Sequence, residues 1–191
     1  MNQIVLQKGE KRVIGVLLGK HSIGHPELVS GSRSRNEFGM TVERIDVDLK
    51  GEGSSVDVFG LMMGKESDEK TLEVYITHSA PNTKSNVNVR AVLKGRSKFD
   101  FRGNVKILNG AKGADAYLRS DALLFDDAKM GDDTPALEIL ERDVKAGHAA
   151  TIGKVDEAML FYLMSRGIAK KQAEKLLVDG FVKPIMDLIS V

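Results

Sequence analysis

From Val42 to Val144, apolar and polar residues alternate in short runs separated by Gly, Asn, Asp and Ser. Ile45, Val47 and Leu49 alternate with charged residues, and Leu72, Val74 and Ile76 alternate with Glu73, Tyr75 and Thr77. The same rhythm returns at Val87, Val89, Ala91 and Leu93, and again at Phe99, Phe101, Gly103, Val105 and Ile107. A two-residue period places each apolar set on one side of an extended strand. Turn residues separate the runs, which predicts an all-β core. A sandwich, a barrel and a solenoid all satisfy this pattern. Asn109-Gly110 is the one clear two-residue hairpin signal, which adds weight to a solenoid, since its coils need no tight hairpins.

After Gly153 the rhythm becomes helical. Asp156 and Glu157 suit the first turn of a helix, where carboxylates meet the positive end of its dipole. Leu160, Leu163 and Met164 share one face, and Gly167 is a natural terminator. A second helix is predicted over Lys170 to Asp179, with Ala173, Leu176 and Leu177 inward and Gly180 as its stop. Pro184 suits the first turn of a third helix marked by Ile185, Leu188 and Ile189. Residues 1–152 are therefore expected to form the β core, and 153–191 a small bundle of about three helices. The Ser-, Gly- and Arg-rich stretch 20–41 fits neither pattern and is expected to be an inserted surface loop, with His21, His25 and Arg33 as bystanders.

A chain of 191 residues can bury a substantial core, and 42% hydrophobic with 29% charged residues is ordinary for a globular protein. A net charge of +1 argues against nucleic acid or an anionic membrane as partner. No apolar run reaches the roughly 20 residues that cross a bilayer. The opening Met1-Asn2-Gln3-Ile4-Val5-Leu6-Gln7-Lys8 lacks the features of a signal peptide, so a cytoplasmic protein is expected. With no cysteine, this chain supplies neither a disulfide nor a thiolate ligand. Neither a phosphate-binding loop nor a zinc-protease motif occurs, and no enzyme activity is expected. Asp126, Asp127, Asp132 and Asp133 read as solvated loop acids rather than a catalytic pair. His78, before Ser79-Ala80-Pro81, reads as a turn residue bonding loop backbone rather than a ligand.

The most distinctive stretch is Asp143-Val144-Lys145-Ala146-Gly147-His148-Ala149-Ala150-Thr151-Ile152-Gly153, then Asp156-Glu157 and Leu160-Phe161-Tyr162-Leu163-Met164-Ser165-Arg166-Gly167-Ile168. It resembles the C-terminal signature of the SufB/SufD family, scaffold proteins of iron–sulfur cluster assembly, whose usual form is close to D-V-K-C-S-H-G-A-T-V-G, D-E, L-F-Y-L-x-S-R-G-I. Ala146 stands where that signature has cysteine, Gly147 where it has serine and Ala149 where it has glycine. The resemblance continues upstream in Thr77-His78-Ser79-Ala80-Pro81-Asn82-Thr83-Lys84-Ser85, in Phe101-Arg102-Gly103-Asn104-Val105-Lys106-Ile107 and in Pro135-Ala136-Leu137-Glu138-Ile139. It covers the chain from about Val42 to its end, whereas family members are usually much longer at the N-terminus.

The resemblance implies a right-handed parallel β-helix followed by helices. It implies a SufD-like rather than a SufB-like component, because this chain has no cysteine to hold a cluster. An iron–sulfur cluster is then a transient cargo shared with a partner, and His148 is its iron or cluster ligand. By sequence, His148 lies on a small-residue turn before the first helix, with Glu141 or Asp143 near enough to orient its ring. The resemblance also implies docking of a SufC-like ABC ATPase on the helices, through Leu160, Phe161, Tyr162, Met164 and Arg166. It further implies pairing through the β-helix with a SufB-like subunit or a second copy of the chain. Two other readings are an ATPase-binding module in which His148 is idle, and a β-solenoid enzyme.

Overall fold

The computed structural model describes residues 4–18, 32–35 and 41–189. The alternating runs become strands β1 (Ile4–Leu6), β2 (Lys11–Leu18), β3 (Ser32–Arg35), β4 (Thr41–Leu49), β5 (Ser55–Gly64) and β6 (Glu69–His78). They continue as β7 (Lys84–Leu93), β8 (Lys98–Ile107), β9 (Asp115–Leu124), β10 (Lys129–Ile139) and β11 (Lys145–Lys154), before helices α1 (Glu157–Ser165) and α2 (Lys170–Ile189). Successive strands alternate between two sheets. One has the order β1-β4-β6-β8-β10, with β3 also on β4, and the other has the order β11-β9-β7-β5-β2. Every pairing is parallel except β3 with β4. The result is a parallel β-solenoid of about four turns, the one of the three all-β architectures that the resemblance implied.

Parallel, in-register stacking lines up like residues from coil to coil. Val47, Ile76 and Val105 form one inward column, and Ile14, Val58, Val87 and Leu118 form another facing it. All seven are essentially inaccessible to solvent, with Phe99 and Phe101 as the largest core rings. This dry core drives the fold, at roughly 25 cal/mol for each Å² of apolar surface withdrawn from water.

Of the expected insert 20–41, residues 20–31 and 36–40 lie outside the described residues. Its described segment Ser32–Arg35 is a strand, antiparallel to Thr41–Arg44 of β4.

The helical region differs from expectation in one respect: it holds two helices, not three. Asp156 caps α1 by accepting from the N–H groups of Ala158 at 2.8 Å and Met159 at 3.2 Å. Gly167, at φ +84°, ends it; the N–H of Gly167 donates to Met164 and that of Ile168 to Leu163. The second and third expected helices are one, because Gly180 and Pro184 both lie inside α2. Pro184 removes one helical donor, and its ring meets the carbonyl four residues back, which belongs to Gly180. Packing outweighs that local penalty: Ile185, Val182 and Met186 lie against Phe59 and Leu61, and Val178 and Phe181 lie with Val92 and Phe125. Leu176, expected inward, is exposed, and so is Leu188. Among the described residues no helix is long and apolar enough to cross a membrane.

Candidate functional site

The two ends of the solenoid are unlike. At the first coil, the inward side chains Ile14, Val16 and Leu18 are buried. At the last coil, Ile139 and Ile152 stand on the inward columns of Ile107 and Ala122, yet are 43% and 50% exposed, and Leu140 beside them is also open. No described strand pairs with the outer edges of β10 and β11. Exposed apolar residues between two unpaired strand edges are features through which a surface can meet another chain.

His148 lies on this face. It sits in the middle of β11, opposite Leu118, and so takes the last place in the column Ile14–Val58–Val87–Leu118. Its side chain is exposed, flanked in the same row by Ala146 and Ala150. This corrects the expected turn: the small residues belong to a strand, because their in-register neighbours on β9 propagate the sheet. The expected orienting acids are elsewhere. Glu141 accepts from the N–H groups of Gly110 at 3.0 Å and Arg142 at 2.8 Å, which hold its carboxyl below the usual range. Asp143 lies 3.6 Å from the Lys112 ammonium. Among the described residues no group bonds the His148 ring, and no cluster of three or more metal-ligating side chains forms. An imidazole suits iron, but a cluster also needs thiolates, and this chain has none.

Asp133, which the sequence placed with the solvated acids, also belongs to this face. It pairs with the buried Phe101 on an inward column and is half-buried. The Ser120 hydroxyl reaches both carboxylate oxygens, at 2.7 and 2.8 Å. Burial raises the Asp133 pKa above the usual carboxylate value, opposed by the Ser120 bond and helped by the charges of Asp132 and Asp121. Its sequence signal is the extra residue in Gly131-Asp132-Asp133, which breaks the two-residue alternation.

His78 is not part of the site. It ends β6 completely buried, with Nδ1 2.8 Å from the Thr83 hydroxyl and Nε2 2.8 Å from the Ser85 hydroxyl. The Thr83 proton goes to the Ala80 carbonyl, so Nδ1–H donates to Thr83 and Nε2 accepts from Ser85. Both nitrogens are satisfied by hydroxyls rather than by loop backbone, and burial lowers the pKa to about 4.

On α1, the residues proposed to meet a partner divide. Phe161 is 72% exposed, and Tyr162 and Met164 are also open. Arg166 lies over the Tyr162 ring, 5.3 Å from its centroid. Leu160 is buried and so drops out of that set. Neighbouring α2 is fastened to the sheet by Lys94, which pairs with Glu174 at 3.2 Å, and by Arg90, which donates to the Phe181 carbonyl.

Residues 34–181 match the sequence model of the SufBD core domain of the SUF system for iron–sulfur cluster assembly. The chain is 37% identical over 166 residues to an iron–sulfur cluster assembly SufBD family protein of Mycobacterium tuberculosis, covering 80% of this chain and 20% of the relative. It is 34% identical over 153 residues to the iron–sulfur cluster assembly protein SufD of Bacillus subtilis, covering 80% and 35%. A SufBD family protein of Staphylococcus epidermidis is 30% identical over 164 residues, covering 86% and 35%. The chain thus spans between a fifth and about a third of the length of these relatives.

Proposed function

Because the chain belongs to the SufB/SufD family of iron–sulfur cluster assembly proteins, we propose that it is a SufD-like scaffold component whose open solenoid end meets a SufB-like subunit. The observation that carries this reading is His148, an imidazole in the last place of an otherwise apolar column, on a face that is open and edged by two free strands. A partner on that face covers Ile139, Leu140 and Ile152 and brings its own thiolates beside His148. The cluster is then cargo held between two chains, since this one has no cysteine. The partner is a SufB-like protein rather than a second copy, because two copies would still bring no thiolate.

The exposed side of α1, with Phe161, Tyr162, Met164 and Arg166, is the proposed seat of a SufC-like ABC ATPase. Fastened to the solenoid through α2, such a seat passes nucleotide-driven movement of the ATPase to the open end. The setting proposed is the cytoplasm. The chain itself catalyses no reaction.

Affinity purification from the native host tests the assembly: an ABC ATPase and a SufB-like chain are expected together, and Phe161→Asp is expected to release the ATPase alone. Recovery of neither partner would overturn the reading. Within the intact complex, His148→Ala is expected to lower cluster assembly. Unchanged assembly would favour the second reading, an ATPase-binding module without a cluster role, which the isolation of His148 from other ligands also suits. Turnover of an acyl donor or a polysaccharide by the purified chain would point instead to a β-solenoid enzyme.

A further inference from the structure

Asp133 faces inward because of a defect in strand pairing, and that defect is built. β10 and β8 run in register through Met130 opposite Phe99, then shift, so that Asp133 rather than Asp132 pairs with Phe101. Two residues, Gly131 and Asp132, occupy the space of one. Such a bulge re-aims the side chains beyond it. Two features hold it. A Cβ at Gly131 would lie 2.0 Å from Asp100 Oδ1 and 2.3 Å from Lys98 Cε, so a side chain there would displace the Asp100 carboxylate and the Lys98 chain. The Asp132 N–H donates to that same Asp100 oxygen at 2.7 Å, while the Asp132 carboxylate turns outward to Arg102 at 2.9 Å. Had the register continued unshifted from Met130, Asp132 would pair with Phe101 and Asp133 would point to solvent; the bulge exchanges the two, so that Asp132 meets Arg102 outside and Asp133 faces the interior.

The register places this carboxylate near His148. Asp133 reaches across the interior to Ser120, and Ser120 pairs with Ala150 on β11. Paired strands lie about 4.8 Å apart, and His148 is two residues before Ala150, about 6.7 Å along the same face. On β11 the residue beside this path is Ala150, a methyl group, and on β10 the next inward residue is Pro135, which pairs with Gly103. Ser120 has one proton to give, which leaves carboxylate lone pairs unused. Among the described residues no lysine, arginine or histidine pairs with Asp133. An inward carboxylate without a counter-ion is costly, and a bound cation offsets that cost.

We propose that Asp133 and His148 form a two-ligand site for a divalent first-row metal ion, ferrous iron above all, with one imidazole nitrogen and one carboxylate oxygen as donors. This deepens the proposed role of the open end and rests on it. Nitrogen and oxygen donors sit about 2.0–2.2 Å from such ions, so the pair need converge only to within roughly 4 Å. The mixed donor set suits ferrous iron better than magnesium or calcium, which prefer oxygen alone. Water or a partner's side chains complete the coordination. The carboxylate gives the iron an anionic anchor before the partner's thiolates arrive.

The test is cobalt(II) titration of the whole chain, followed by visible absorption, with ferrous iron as the anaerobic confirmation. The unsubstituted protein is expected to bind one ion per chain. Asp133→Asn, which keeps the shape and a partner for Ser120, and His148→Ala are each expected to weaken binding at least tenfold. Asp126→Asn, at an exposed turn, is expected to change nothing. In the cobalt-loaded unsubstituted protein, the ring protons of His148 and the β-protons of Asp133 are both expected to show paramagnetic shifts, a readout that needs no variant to fold. Unchanged affinity in Asp133→Asn, absence of the Asp133 shifts, or no stoichiometric binding by the unsubstituted chain would each overturn the site. Recovery of the ATPase and the SufB-like chain is scored separately. Partners recovered without metal binding sink this inference and leave the scaffold reading intact, while the reverse outcome sinks only the scaffold reading.

Discussion

The buried imidazole of His78 makes a quantitative prediction about acid stability. In the folded chain it is neutral, with each nitrogen bonded to a hydroxyl, and desolvation lowers its pKa from 6.5 to about 4. In the unfolded chain an imidazole titrates near pH 6.5. Above that pH neither state binds the proton, and the contribution of His78 to stability is complete. Between about pH 6.5 and 4 the unfolded chain takes up a proton that the folded chain refuses, so stability falls as pH falls. The slope approaches 1.4 kcal/mol per pH unit, for a total loss of about 3 kcal/mol by pH 4. Against a typical net stability of roughly 5–15 kcal/mol, that is a large share. Urea unfolding of the unsubstituted protein and of His78→Gln, at pH 7, 6, 5 and 4.5, isolates the effect. Carboxylates and the other histidines act in both proteins and cancel in the difference. The variant is expected to be less stable at pH 7, with the gap narrowing by about 3 kcal/mol toward pH 4. Parallel profiles with a constant gap would refute both the neutral state and the buried geometry assigned to His78.

Phe101 is wholly buried in the column between Leu72 and Asp133, so Phe101→Ala is expected to cost about 3–5 kcal/mol in a denaturant titration. A loss under about 1 kcal/mol would mean that the core at the last coils is not close-packed. Asp156→Ala removes the acceptor for the Ala158 and Met159 N–H groups and is expected to cost about 1 kcal/mol, confined to α1. Hydrogen exchange is expected to quicken in α1 and stay unchanged in β7 and β9; equal change in both would show that α1 and the solenoid unfold as one unit.

Strands were legible because every coil repeats the same two-residue demand. Val87 and Val89 must face one way whatever lies beyond them, and the pattern carries the strand with it. The signature around His148 was legible as a string of residue types but not as a shape. Its small residues suit a tight turn as well as a strand, and only the pairing of Lys145–Lys154 with Asp115–Leu124 decides between them. The inward turn of Asp133 was not legible, for the opposite reason. Acids beside glycine usually lie in solvated turns, and one inserted residue, held by Asp100, reverses that here. In α2, Gly180 and Pro184 are strong local stop signals, and the sheet face beneath them overrules both.

The order of residues alone determined that this chain is a stack of short strands with a helical tail, that it carries no thiolate, and which family signature it bears. Those properties depend on side-chain chemistry and periodicity, both local. Tertiary structure decided which end of the stack is open, that His148 and Asp133 share it, and that His78 is sealed away from it. Each of those outcomes depends on which strand lies beside which, and in a parallel solenoid the neighbours in space are a full coil apart in sequence.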